Sequence, residues 1–273
     1  MLCYYNLQRI ERYNQLITKK FETPLLEYKD KYQVELDVKR SFYYLDELKD
    51  KPQKELQMVL DYVFYHTQLS YIQGFHDICA TLVLVSENAK YIAYSLALHQ
   101  FARFLKEDGV MAAQEMCTHA YSLIYVYDQP LFKYLSIVPE TFFISWIFTA
   151  FQHDITCLET KLVILDRIVL ESTDFLVYLT AAFIINQRSK IIAFNEQQIL
   201  SECSELRHIG YLPLEQLNPI VTLALKLHQM YKMENVKKWT DADKKRLIKT
   251  NRLSYIMAIL VVLLAILIMQ IQL

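Results

Sequence analysis

Only three glycines and six prolines interrupt a chain of 273 residues, 53% of them apolar. Glycine and proline supply the tight turns, bulges and irregular loops of strand-rich proteins. A chain this poor in both is restricted to long helices joined by short connections. Periodicity agrees: across 54–66, Leu56, Val59, Leu60, Val63 and Phe64 recur at three- and four-residue intervals, the stripe of a helix that buries one face. No stretch shows the two-residue alternation of a half-buried strand. The expected fold class is all-α, an irregular multi-helix array. Helices are expected over about 31–45, 54–66, 77–85, 90–106, 111–127, 140–151, 160–171, 174–187, 195–206 and 215–231. Pro130, Pro139, Pro213 and Pro219 are expected at turns or first helical positions.

The C-terminal end differs in kind. Residues 253–273 carry no charge, and 256–269 form an unbroken apolar run. About 20 such residues let a helix cross a bilayer, and a core helix seldom runs so far without a polar stripe. Ahead of it stands Lys244-Lys-Arg-Leu-Ile-Lys249-Thr-Asn-Arg252, a flank that the positive-inside tendency keeps cytosolic and that suits anionic headgroups. A single transmembrane tail anchor is expected here. The apolar stretches 141–151 and 175–185 are too short to span and read as core helices. Residues 1–20 are charged throughout, unlike a cleavable signal.

Charge and cysteine usage narrow the function. Five of the 29 basic residues and none of the 30 acidic ones lie in 244–273, so the remaining body is net acidic. That is the wrong balance for binding nucleic acid. Five cysteines without C-x-x-C spacing suit reduced thiols in a cytosolic domain. The seven histidines form no H-E-x-x-H and no zinc spacing with cysteine. Phosphate-loop, dinucleotide and nucleophile-elbow signatures are absent from the sequence. No cofactor or metal of its own is therefore expected.

Two short stretches carry the chemistry: Val34-Glu-Leu-Asp37-Val-Lys-Arg40 and Tyr71-Ile-Gln73-Gly74-Phe-His76-Asp77-Ile78. They offer one guanidinium and one side-chain amide, with no nucleophile. An arginine is permanently charged and presents a rigid donor fork. A glutamine amide both accepts and donates, so it can hold a water while touching a phosphate oxygen. Asp37 stands three residues before Arg40, on the same helical side. Gly74 suggests an unusual backbone angle or a close approach after Gln73. Tyr71 and Phe75 would anchor that loop, and Asp77 could cap the next helix. Taken singly, each stretch reads more readily as a solvated Asp–Arg pair or an ordinary loop glutamine.

Together the two stretches resemble the paired finger motifs of TBC-domain Rab GTPase-activating proteins, I-x-x-D-x-x-R and Y-x-Q, with Val34 in place of isoleucine. The resemblance extends from about residue 8 to 232. It includes Phe143-Ile-Ser-Trp146-Ile-Phe-Thr149-Ala-Phe151-Gln-His153-Asp, Leu165-Asp166-Arg and Tyr178-Leu-Thr-Ala-Ala, read as packing segments. Tyrosine stands where the family has a lead-in tryptophan, and the proline usual after the arginine is replaced by Ser41-Phe-Tyr-Tyr-Leu-Asp46. The resemblance implies a TBC-like domain at 31–232 behind a helical lead-in at 1–30, and charge and hydropathy add a basic juxtamembrane linker at 233–252 and the anchor at 253–273. It also implies Arg40 and Gln73 as catalytic fingers, with Asp37, Tyr71, Gly74 and Asp77 in support. The partner would be a GTP-bound Rab that carries the GTP and Mg, and the chain would run no independent reaction. The histidine form of the second motif and the anchor resemble the endoplasmic-reticulum branch of the family, single-pass with a cytosolic N-terminal domain. Two alternatives remain open: a silent Rab-binding or tethering protein of the same fold, and a helical membrane-shaping protein.

Overall fold

The structure, a computed structural model, describes residues 27–194 and 199–236. Most of the expected lead-in, nearly all of the basic linker and the whole expected span at 253–273 lie outside the described residues. Among the described residues no single helix is long and apolar enough to cross a membrane.

The described residues form helices joined by turns and short loops, with one isolated parallel bridge between Ile155 and Gly210. The N-terminal half contains α1 (Lys31–Arg40), a 3-10 segment (Tyr43–Lys49), α2 (Asp50–Thr67), α3 (Phe75–Val83) and α4 (Ala89–His99). The C-terminal half begins with α5 (Gly109–Tyr127), α6 (Gln129–Leu135) and a second 3-10 turn (Glu140–Phe143) leading into α7 (Ile144–Phe148). It continues through α8 (Leu158–Glu171), α9 (Phe175–Asn186), α10 (Arg188–Ala193), α11 (Ile199–Arg207) and α12 (Leu214–Met230).

α2 follows its sequence stripe: Leu56, Val59, Leu60, Val63 and Phe64 are buried and Met58 faces solvent. The helix packs on α1, α3 and α4. α9 is different, because every residue from Phe175 to Ile185 is buried. It is the axis of the second half, flanked by α5 and α12. At 12 residues it is a core helix, too short to cross a bilayer. A relay of aromatic rings joins the halves. Tyr28, Phe64, Phe75, Phe101, Phe104 and Phe148 follow one another at centroid separations of 5.9 to 6.1 Å, within the range of favourable ring pairs.

Four boundaries correct the sequence expectations. The helix expected over 31–45 ends at Arg40, where Ser41 turns extended and Phe42 enters the left-handed region at φ 59°. The helix expected over 90–106 stops at His99. The one expected over 140–151 ends at Phe148, and Ala150 and Phe151 take φ of 48° and 65°. Pro219 lies inside α12 instead of at its start. Its missing N–H forfeits one helical bond, and packing of α12 on α9 carries the helix through.

Candidate functional site

α1 places its buried residues Val34, Asp37 and Val38 at three- and four-residue spacing, so the first motif is pinned by its inner face. Arg40, the last helical residue, is exposed. The chain on either side of it is held. Ser41 donates its N–H to the Val38 carbonyl (3.0 Å) and its hydroxyl to the Asp37 carbonyl (2.9 Å). The Gln53 amide, from α2, donates to the carbonyls of Lys39 (3.1 Å) and Ser41 (2.8 Å). Arg40 is thus a long cationic side chain on a fixed backbone.

Asp37 does not pair with Arg40. Its carboxylate is 1% exposed and turns inward. There it accepts a 2.7 Å hydrogen bond from the Tyr71 hydroxyl, which also lies 2.9 Å from His76 Nδ1. The Tyr71 N–H in turn donates to Asp30 at 2.8 Å. Burial first, then the Asp37 charge, drives the Tyr71 phenol far above its ordinary range, so it stays protonated and donates. The two motifs are therefore joined through Asp37, Tyr71 and His76, residues from separate segments of the chain.

Gln73 is exposed at the crest of the loop before α3. Gly74 follows at φ +110°, a conformation that side chains rarely adopt. A Cβ there would also stand 3.0 Å from Thr149 Cγ2 and 3.5 Å from Phe148 Cβ. The Gly74 N–H stands 3.3 Å from His76 Nδ1, and His76 Nε2 faces Asp77 Oδ1 at 3.6 Å. Phe75 is buried and Tyr71 meets Phe64 edge-on at 5.4 Å, so both rings seat the loop. Asp77 is not a helix cap. α3 begins two residues earlier, with Gly74 in the cap position, and Asp77 sits in its first turn. Its carboxylate faces His153 Nδ1 at 3.4 Å. Burial would raise the Asp77 carboxyl, but the bond to His153 and the charges of His76, His153 and Lys161 hold it below its usual range.

Sequence reasoning gave His76 and His153 no chemistry and overlooked Gln53. No spacing signal links His153 to Asp77. They meet because the left-handed turn at Ala150 and Phe151 folds the segment after α7 back toward α3. A cleft of about 500 Å³ lies elsewhere, lined in part by Trp146, Phe183, Lys190, His208, Tyr211 and Pro219; neither Arg40 nor Gln73 borders it. Among the described residues no group of three or more His, Cys, Asp and Glu side chains could hold a metal ion. Cys79, Cys117, Cys157 and Cys203 are buried and free.

The described residues thus form a helical domain with two exposed polar side chains, Arg40 and Gln73, above one buried network. The model of the Rab-GTPase-TBC domain matches residues 1–192, and the chain belongs to that family. The GTPase-activating protein gyp10 of Schizosaccharomyces pombe is 29% identical over 175 residues, covering 60% of this chain and 46% of that protein. The human TBC domain-containing protein kinase-like protein is 27% identical over 177 residues, covering 60% and 20%. The chain thus spans less than half the length of these curated relatives. Among solved structures, the Ypt/Rab-GAP domain of Gyp1p superposes with a TM-score of 0.62 at 15% identity, covering 83% of this chain and 82% of its own. The Chlamydomonas flagellar RabGAP TBC domain gives 0.58 at 14% identity, covering 81% and 72%. At these identities the likeness to solved structures establishes the helical fold.

Proposed function

We propose that this chain is a GTPase-activating protein for a Rab-family GTPase, lending Arg40 and Gln73 to the partner's nucleotide pocket. The observation that carries the reading is the shared anchorage of the two motifs. Arg40 and Gln73 are exposed, while Asp37, Tyr71 and His76 behind them form one hydrogen-bonded unit. Family membership and the resemblance to gyp10 support the activity.

Hydrolysis of GTP builds negative charge on the transferring phosphoryl group and needs one water held in line. A guanidinium inserted from outside stabilises that charge and is worth about 10³–10⁵-fold in rate. Arg40 supplies it from a helix end whose carbonyls are already occupied by Ser41 and Gln53. The Gln73 amide accepts from the attacking water and donates to a phosphate oxygen. Gly74 lets the loop turn sharply enough for that amide to stand clear of α3. GTP and Mg belong to the partner, and the chain contributes positioning and charge alone.

The same proposal places the domain at 31–232, with 233–252 as a basic neck and 253–273 as a membrane anchor. It sets the domain on the cytosolic face of the endoplasmic reticulum, regulating membrane traffic. The anchor's support is its uncharged length and basic flank. Single-turnover hydrolysis by a panel of GTP-loaded Rabs tests the activity. The full chain should accelerate at least one, and Arg40→Ala and Gln73→Ala should each remove most of the effect. Binding to GTP-loaded Rab without acceleration would point instead to a silent tether. Imaging the tagged full chain with and without 253–273 tests location: the shortened form should leave the endoplasmic reticulum, and unchanged membrane staining would reject the anchor.

A further inference from the structure

The turn that carries Gln73 rests on the segment after α7, and the contact has a charged fastening beside its apolar one. The apolar part is the seat of Gly74 against Thr149 and Phe148. The charged part is His153, whose Nδ1 lies 3.4 Å from Asp77 Oδ2, three residues beyond Gly74. The platform under His153 is firmly built. Thr149 donates its hydroxyl to the Ser145 carbonyl at 2.8 Å, and the buried Gln152 amide donates to the carbonyls of Ala150 (2.8 Å) and Lys161 (3.3 Å). Asp77 also faces His76 Nε2, and His76 Nδ1 lies beside both the Gly74 N–H and the Tyr71 hydroxyl. An unbroken sequence of polar contacts therefore runs from His153 to the backbone beside Gln73.

We propose that His153 is a positioning residue for Gln73: its imidazolium, resting on Asp77, straps the glutamine loop to the segment after α7, so that GTPase activation follows the protonation of this one ring. The proposal rests on the reading of Gln73 as the water-holding group and adds a regulatory input to it. The ring's side chain is 61% exposed, so solvent protons reach it freely. The groups around it are few. Asp77 faces it from α3, Asp154 adjoins it on its own segment, and Lys161 stands on α8, which packs against α3. The bond to Asp77 raises the imidazole above its ordinary 6.5, against a lowering by burial; the charges of Asp77 and Asp154 add to the rise and Lys161 opposes it. Lys161 is itself lowered by burial, with Asp77 and Asp154 opposing. Burial raises Asp154, whose Oδ2 has no hydrogen-bond partner. For a cation stabilised by folding, the contribution is complete below the unfolded value and lost as pH climbs through the raised one. The Asp77 carboxyl, held low, is charged throughout that window. The strap is thus closed below about pH 6.5 and opens above it.

The test is the acceleration of a responsive Rab by the full chain, measured from pH 5.5 to 8.5 at saturating activator and divided by the intrinsic rate of that Rab at each pH. The unmodified chain should lose about two- to fivefold of its limiting acceleration as pH rises, the scale of a partly exposed ion pair. His153→Gln should be flat at the lower level, and Asp77→Asn should match it. His153→Arg, which keeps a charge at every pH, should be flat at the higher level. In labelled full chain, the imidazole resonance lost in His153→Gln should titrate above 6.5 and fall on Asp77→Asn. A pH profile that survives intact in His153→Gln, or that persists in His153→Arg, overturns the proposal and leaves the arginine and glutamine fingers standing. Absence of any Arg40-dependent acceleration at every pH overturns the parent reading, and this inference with it.

Discussion

Tyr71→Phe isolates the bond that ties the two motifs together. The substitution removes one hydroxyl and keeps the ring, so the edge-on contact with Phe64 at 5.4 Å survives. What it removes is the 2.7 Å donor to a carboxylate that is 1% exposed. The other polar groups near Asp37 are poor substitutes: the Gln33 amide stands 3.4 Å away and His76 Nδ1 3.9 Å. A hydrogen bond to a buried charge contributes about 1.5–3 kcal/mol, and the stranded partner pays its full desolvation. For a domain of this size each kcal/mol moves Tm by about 2–4 °C, so the full chain should melt roughly 3–12 °C lower. The same change in an Asp37→Asn background removes a neutral bond worth about 0.5–1.5 kcal/mol. The double-mutant cycle should therefore return a coupling of about 1 kcal/mol or more. Thermal unfolding followed by circular dichroism measures all four proteins. A Tm unchanged within about 1 °C in Tyr71→Phe, or equal costs in the two backgrounds, would refute the charged-network reasoning.

Gly74→Ala should cost about 1–3 kcal/mol, because φ is +110° and the new Cβ meets Thr149 at 3.0 Å; GTPase activation should fall more than stability alone explains, read as rate against Tm. Native thiol labelling of the full chain should find Cys79, Cys117, Cys157 and Cys203 silent, since all four are buried and burial pushes the Cys203 thiol up to about 11. At most Cys3 of the five should react quickly before denaturant is added; fast labelling of any of the four would mean their helices open readily.

The helical class was legible from the scarcity of breakers, and α2 from its stripe, to within a few residues at its N-terminal end. α6 and α10 were not, because seven and six residues are too few to display a period. The stop after Arg40 was hidden for a different reason. It is made by Ser41 and Gln53 hydrogen bonds and a left-handed Phe42, with neither glycine nor proline to announce it. Gly74 is the opposite case: its rarity in the chain pointed to an unusual turn, and the turn is there. Asp37 and Arg40 were read as neighbours on one side of α1, yet one faces the core and the other the solvent. The His153–Asp77 contact depends on two left-handed non-glycine residues, Ala150 and Phe151, a conformation that only tertiary packing imposes on such side chains.

The claim that the activator brings both groups is tested most directly on a partner stripped of one of them. A responsive Rab whose own water-orienting switch glutamine has been changed to alanine should still be accelerated by the full chain, because Gln73 would take that place. Gln73→Ala should abolish the rescue, and Arg40→Ala should abolish it as well. If the unmodified Rab is accelerated and the glutamine-less one is not, Gln73 does not hold the water and the account of the site is wrong.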